Sequence, residues 1–346
     1  MSRVRTKGQP IKVGGLEVGP GERGIVDLPV AGLYTHTQLT MPVHVINGRY
    51  AGPTLFLTAA VHGDELNGVE IIKRVLKLSA LKRLHGCVLA VPVVNVFGFI
   101  NRSRYLPDRR DLNRSFPGRE TGSIAARLAN LLAKEIVAKS NYGIDLHTGA
   151  IDRSNLPQIR ADLSDPEVLK LAEEFGSPVI INANLRDGSL REFAAEKGIP
   201  MLLYEAGEAL RLDELSIRAG VRGVSRVMRA LRMLPARTSA RSRIAPVQSR
   251  QTTWVRAPGS GVVQTECRLG ERVRSGQLLA KVSDPFGNVE IEVPATASGI
   301  VIGRSMSPLA HEGDALFHLA RFDDVGDAAQ TVDEFHEAHA VADDWG

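Results

Sequence analysis

The feature that most constrains this chain is the run Phe56-Leu57-Thr58-Ala59-Ala60-Val61-His62-Gly63-Asp64-Glu65-Leu66-Asn67-Gly68, where an apolar strand empties directly into a His-x-x-Glu pair. An imidazole nitrogen and a carboxylate oxygen both suit Zn²⁺, and a catalytic zinc site takes three protein ligands with the fourth position left to water. The third ligand has to come from elsewhere. The best candidate lies in Tyr142-Gly143-Ile144-Asp145-Leu146-His147-Thr148-Gly149, another short apolar strand that ends in a histidine. His62, Glu65 and His147 then make a His₂Glu set. His-x-x-Glu alone is a common pattern, and a lone strand-end histidine is more often hydrogen-bonded structure than a ligand, so the weight comes from context.

A third apolar run, Ile199-Pro200-Met201-Leu202-Leu203-Tyr204-Glu205-Ala206-Gly207-Glu208, again delivers a carboxylate beside a glycine. Open α/β sheets bind ligands at the carboxyl ends of their strands, so three strands that each end in a reactive group say more than any one of them. Glu205 is the general-base candidate; its bland alternative is a carboxylate capping the next turn. Between the ligand segments, residues 101–118 are dense in arginine and lack apolar periodicity, which excludes a core element. Arg102, Arg109 and Arg110 read as solvated partners of Asp108 and Asp111. Asn113 and Arg114 read as carboxylate grips, since a guanidinium fork matches a carboxylate and the amide adds a donor.

These segments together resemble the succinylglutamate desuccinylase and aspartoacylase family of the zinc metallocarboxypeptidase clan. His62-Gly63-Asp64-Glu65 resembles its His-Gly-x-Glu, Asp111-Leu112-Asn113-Arg114 its Asp-Leu-Asn-Arg, Leu146-His147 its third zinc ligand, and Glu205 before Ala206-Gly207 its catalytic glutamate. The similarity runs over roughly residues 45 to 320, in the family's order. It implies one Zn²⁺ per chain, held by His62, Glu65 and His147. It also implies that Arg104 polarises the scissile carbonyl, with Arg102 as the alternative because this segment is longer than in the best-known aspartoacylases. No motif identifies the residues that would recognise an acyl group.

The length of 346 residues favours two domains. Residues 1–32 read as an N-terminal extension, 33–234 as the hydrolase domain, 235–250 as a linker, 251–321 as a β module and 322–346 as an acidic tail. In the hydrolase part, helices are expected over residues 67–84, 123–139 and 165–175, and strands over 86–97, 144–146 and 178–181. That alternation predicts an α/β fold: a zinc-carboxypeptidase-like mixed sheet flanked by helices. In the C-terminal part Ser260-Gly261-Val262-Val263 with Gly276-Gln277-Leu278-Leu279 recurs as Ser298-Gly299-Ile300-Val301 with Gly313-Asp314-Ala315-Leu316. Two similar halves imply a quasi-symmetric all-β sandwich or flattened barrel. The pattern resembles the biotinyl and lipoyl carrier fold, but the segment Ser283-Asp284-Pro285-Phe286-Gly287-Asn288-Val289 lacks the lysine a carrier needs. The module therefore reads as a lid or assembly surface.

Charge is distributed unevenly. Residues 217–257 hold ten arginines and no acid, whereas residues 322–346 hold eight acids and no lysine or arginine. In the first stretch Val221, Val224, Met228 and Leu231 share a helical face and arginines occupy the others. The acidic stretch reads either as disordered or as lying against that basic helix. Arginine runs also bind nucleic acid, but aromatic residues make up only 5% of the chain and no nucleic-acid motif is present. No nucleic-acid partner is expected. No run has the length to span a bilayer, and the basic start Met1-Ser2-Arg3-Val4-Arg5-Thr6-Lys7 precedes no apolar stretch, so no membrane association and a cytoplasmic location are expected. Cys87 and Cys267 lie far apart and read as buried thiols.

The expected activity is zinc-dependent hydrolysis of the amide bond in a small N-acyl amino acid or related N-acyl amine that carries a carboxylate. Two alternatives stay open: a carboxypeptidase acting on peptides, and a zinc-binding protein without turnover. Assembly into a homo-oligomer is also open.

Overall fold

Four apolar runs form the centre of the molecule. In a computed structural model that describes residues 6–236 and 245–340, the strands His85–Val91, Tyr50–Ala59, Tyr142–Gly149 and Met201–Glu208 lie side by side in that order, all parallel. Parallel strands end at one common edge, and this is where the three polar strand exits of the sequence meet. Ala59 is in register with Leu146, and Glu205 with His147. Antiparallel strands extend both flanks: Gln38–Asn47 and Arg23–Gly32 on one side, Arg153–Ala161 on the other.

Helices cover both faces, as a parallel core requires. Asn67–Val75, Pro166–Phe175 and Glu214–Ala230 pack Ile71, Ile72, Phe175, Val224 and Met228 onto one face. On the other, Ile124–Glu135 and Leu190–Glu196 bring Leu128, Leu132 and Leu190 against Phe56, Leu89 and Val91. Several helices start where side chains cap them: Ser123 Oγ accepts from Ala126 N, and Asp165 Oδ1 from Glu167 N. The strand expected over 86–97 stops at Val91, because Pro92 has no N–H for the ladder and Asn95 caps a short helix, Val96–Asn101, by accepting from Gly98 N at 2.8 Å. The helix expected over 67–84 likewise ends at Val75 and is followed by a 3₁₀ turn, Ser79–Arg83.

The internal repeat of the C-terminal part is a quasi-two-fold sandwich. Gly261–Thr265 and Leu278–Ser283 from the first half lie in a four-stranded sheet, while Gly299–Ser305 and Ala315–Arg321 from the second join the large sheet. Each half lends a two-residue strand to the other: Arg272–Val273 pairs with Gly299–Ser305, and Leu309–Ala310 with Gly261–Thr265. Val255, Val263, Val282, Phe317 and Leu319 fill the space between. The second sheet of the module also continues the hydrolase sheet, with Gly303, Arg304 and Ser305 opposite Asn155, Ser154 and Arg153. The resulting sheet has 13 strands.

The segments flanking these units also take part. Arg23–Gly32 is a sheet strand, and Val247–Ser249 pairs with Val179–Asn182; residues 237–244 of the arginine-rich connection lie outside the described residues. Much of the acidic stretch forms a helix, Val325–Ala340, that buries Ala328, Val332 and Phe335. It meets the basic helix where Arg222 Nη1 donates to the Ala338 carbonyl at 2.8 Å, while residues 341–346 are again outside the described set. Among the described residues no helix is long and apolar enough to cross a membrane.

Candidate metal centre

At the common strand edge the chain leaves Tyr50–Ala59 through Ala60, whose φ of 48° turns it off the sheet toward His62. Gly63 is required here, because a Cβ would run into the backbone of Gly98 and Phe99. Glu65 then falls between two imidazoles. Its Oε1 lies 2.7 Å from His62 Nδ1 and its Oε2 lies 2.8 Å from His147 Nδ1. The three ligand atoms are within 4.8 Å of one another and all three residues are buried. Each histidine is held at its other nitrogen by a carboxylate: Asp111 Oδ1 at 3.2 Å from His62 Nε2, and Asp145 Oδ2 at 2.6 Å from His147 Nε2. A carboxylate on the far nitrogen fixes the tautomer of a metal-ligating histidine and leaves the near nitrogen to the metal. The donor set therefore fits a divalent cation such as zinc.

Proton affinities follow from this crowding. Burial alone would lower both imidazole pKa values, but Glu65 and Asp111 raise that of His62 above its ordinary 6.5. Asp145 and Glu65 raise His147 further. Burial works against ionised Glu65, yet the two imidazoles outweigh it and hold the carboxyl well below the usual carboxylate range. Asp111 is held low in the same way by His62 and Arg104.

The arginine-rich segment separates its members as follows. Arg104 reaches the centre: Nη1 lies 3.2 Å from His62 Nδ1, and Nη2 donates to Asp111 Oδ2 at 2.8 Å. Arg102 instead ends the helix Val96–Asn101 in a left-handed conformation with its side chain exposed. Asn113 is buried, and its Oδ1 accepts from Leu190 N at 2.9 Å, which leaves its Nδ2 donors. Arg114 is exposed and turns a guanidinium nitrogen back to the Asn113 carbonyl. Its charged end makes no described contact with His62, Glu65 or His147. Glu205 stands next to His147 in register, on the same sheet face, with its side chain 21% exposed.

Several partners were not singled out from the sequence. Asp145 precedes His147 by two positions and so shares its face, and it also accepts from Thr58 Oγ1 at 2.7 Å. Period-two spacing was the signal available for it. Thr148 N donates to Glu65 Oε2 at 3.1 Å. Asn155 and Arg160 flank Glu205 from the neighbouring strand, and no local pattern marks them.

The fold and the centre are of the zinc-carboxypeptidase type, a mixed sheet flanked by helices with an appended β sandwich. Within that class the chain belongs to the succinylglutamate desuccinylase/aspartoacylase family, whose catalytic-domain model matches residues 51–231. Over 312 residues it is 25% identical to the N-α-acetyl-L-2,4-diaminobutyric acid deacetylase of Halomonas elongata, spanning 86% of this chain and 91% of that protein. The product-bound ectoine utilization protein EutE (DoeB) from Ruegeria pomeroyi superposes with a TM-score of 0.77 at 25% identity, covering 86% of this chain and 94% of its own. A succinylglutamate desuccinylase/aspartoacylase from Rhodobacter sphaeroides gives the same TM-score and identity, covering 88% and 95%.

Proposed function

We propose that the chain is a zinc-dependent hydrolase that cleaves the amide bond of a small N-acyl amino acid or a related N-acyl amine. The observation that carries this reading is the pair of histidines that both turn Nδ1 to Glu65 while carboxylates hold both Nε2 atoms. His62, Glu65 and His147 would hold a zinc ion, which when bound would supply a Lewis acid and lower the pKa of a water from 15.7 to about 7. Glu205, beside His147, takes the proton of the attacking water and returns it to the departing amine. Arg104 faces the negative charge that grows on the acyl oxygen. The free Nδ2 of Asn113, and Arg114 once it swings from its own loop, grip the substrate carboxylate.

Similarity to a deacetylase of N-α-acetyl-L-2,4-diaminobutyric acid makes acetylated amino acids the first substrates to try. The test is a zinc-loaded chain incubated with N-acetyl, N-succinyl and N-formyl amino acids, N-α-acetyl-L-2,4-diaminobutyrate among them, and with short peptides. Freed amine is assayed with Glu205→Gln as control. Turnover of one acyl class that disappears in the control supports the reading. Faster release from peptides would replace it with a carboxypeptidase, and bound zinc without turnover of any compound would leave a binding protein.

A further inference from the structure

The carboxylate of Glu205 is held at one oxygen. Its Oε2 accepts from Asn155 Nδ2 at 2.9 Å, and Arg160 Nε lies 3.1 Å from the same atom. The arginine N–H is off the line of a hydrogen bond, so its contribution is electrostatic. Among the described residues nothing bonds Oε1. A carboxylate pinned in this way keeps a free oxygen for a proton in transit.

Asn155 reaches Glu205 because the strand pairing slips. Glu205 is opposite Gln158 and Gly207 is opposite Asn155, so three steps on one strand face two on the other. Such a bulge re-aims side chains, and Asn155 ends up on the flank of the carboxylate. The other edge of Asn155 belongs to the C-terminal module, where its partner is Gly303. A Cβ at Gly303 would stand 2.9 Å from Asn155 Oδ1 and 3.2 Å from His318 Cβ. The lack of a side chain there leaves Asn155 the room to turn toward Glu205.

His318, opposite Gly303, is 3% exposed and stacked on Trp254 with ring centres 4.2 Å apart. Burial, then Arg160 and Arg153, push its pKa down to about 3. Its imidazole is therefore neutral and adds no positive charge beside Arg160 and Arg153.

We infer that the C-terminal β module positions the general base: Gly303, backed by His318, forms the wall that keeps Asn155 against Glu205 Oε2, where Arg160 adds its charge. The inference rests on the reading of Glu205 as the base. It gives the module a role exerted through the sheet rather than over the mouth of the site, with Asn155 and Arg160 as positioning residues.

The test uses the full zinc-loaded chain and the N-acyl amino acid it turns over fastest. Asn155→Ala and Gly303→Ala are each expected to lower kcat by on the order of 10–100-fold, the cost of a misplaced reacting group, with KM and bound zinc unchanged. The double variant should be no slower than Asn155→Ala, because both changes remove one contact. A second readout needs neither metal nor turnover: the Asn155 side-chain amide NMR signal, assigned by its loss in Asn155→Ala, should shift in Glu205→Ala and in Gly303→Ala. Wild-type kcat in Asn155→Ala or Gly303→Ala, multiplying losses in the double variant, or an amide signal indifferent to Gly303→Ala overturns the inference. If Gly303→Ala does not fold, His318→Gly removes the Cβ that backs Gly303 instead, with the same expectation of lower kcat at constant KM. Turnover in Glu205→Gln would instead remove the base assignment itself. Loss there alongside full activity in Asn155→Ala and Gly303→Ala sinks only the role of the module.

Discussion

His147 Nε2 lies 2.6 Å from Asp145 Oδ2, two positions back on the same strand, so one strand supplies both a candidate metal ligand and the group that orients it. Asp145 is itself completely buried and anchored by Thr58. Asp145→Asn keeps the shape but removes the charge that favours an Nε2–H on His147. Loss of such an outer partner typically costs 10–100-fold in metal affinity. Competition for zinc against a chelator should show a drop of about that size, and equal affinity would mean that Asp145 is only structural.

Zinc binding should depend steeply on pH, with a sign that follows from the proton affinities of the empty site. In the zinc-free chain the two imidazole pKa values are raised above 6.5. Their ion pairs therefore stabilise the fold fully below about pH 6.5 and fade as pH rises through the raised values. Glu65, depressed below its ordinary 4.5, contributes above that pH and loses its contribution as pH falls toward its lowered value. Zinc needs both imidazoles deprotonated, so affinity should strengthen with rising pH while the intrinsic stability of the empty fold weakens. Calorimetric zinc titration near pH 7, in buffers of different ionisation enthalpy, should report net release of protons from the histidines on binding. No release would remove one or both histidines from the ligand set.

Arg104 carries two duties that a pair of variants can separate. The proposed function has it face the acyl oxygen; it also approaches His62 and pairs with Asp111, which holds His62. Arg104→Lys retains a charge for Asp111 but loses the planar fork, so zinc should stay bound while kcat falls. Arg104→Ala should lose on the order of 10²–10³ in kcat and part of the zinc as well. Equal zinc loss in both would point to orientation of His62 as the main duty.

How far the sequence revealed this site depends on where each partner comes from. His62, Glu65, His147 and Glu205 were visible because each stands at or just past the end of an apolar strand, a local signal. Asp145 was nearly visible through period-two spacing. Asn155 and Arg160 were not, since their approach to Glu205 needs a strand slip that no local pattern encodes. The same holds for the sandwich: its repeat was legible in the glycine turns, whereas the pairing of Gly303 with Asn155 joins positions 148 residues apart in the chain, the difference between their numbers. Arg102 and Arg104 were hard to rank for a related reason: no local pattern marks that Arg102 caps the short helix in a left-handed conformation while Arg104 reaches His62 and Asp111.

In the proposed function Asn113 is also bifunctional, and its amide divides the two tasks. Its Oδ1 accepts from the first N–H of the helix Leu190–Glu196, and its Nδ2 is the end left for substrate. Asn113→Asp keeps the acceptor and replaces the donor with a repelling charge, so KM should rise with little change in stability. Asn113→Ala loses both, adding a stability cost of about 1 kcal/mol for the missing helix-end bond. Urea denaturation beside steady-state kinetics checks the split. A normal KM in Asn113→Asp would exclude contact between this residue and the substrate carboxylate.

The glycine of His62-Gly63-Asp64-Glu65 should prove as necessary to the metal centre as the ligands around it. A Cβ at Gly63 collides with backbone atoms of Gly98 and Phe99, which cannot give way as the far end of a flexible side chain could. Gly63→Ala should therefore destabilise the chain by about 1–3 kcal/mol, the usual cost of forcing extra volume into a packed interior. Because the displaced backbone carries both His62 and Glu65, zinc content should fall with stability. Gly32→Ala is the matched control: its Cβ meets nothing within 4 Å on an exposed strand end. It should leave melting temperature and zinc content unchanged. A Gly63→Ala chain that melts normally and holds a full complement of zinc would show that the loop can shift without moving the ligands, and the geometric account of this motif would fail.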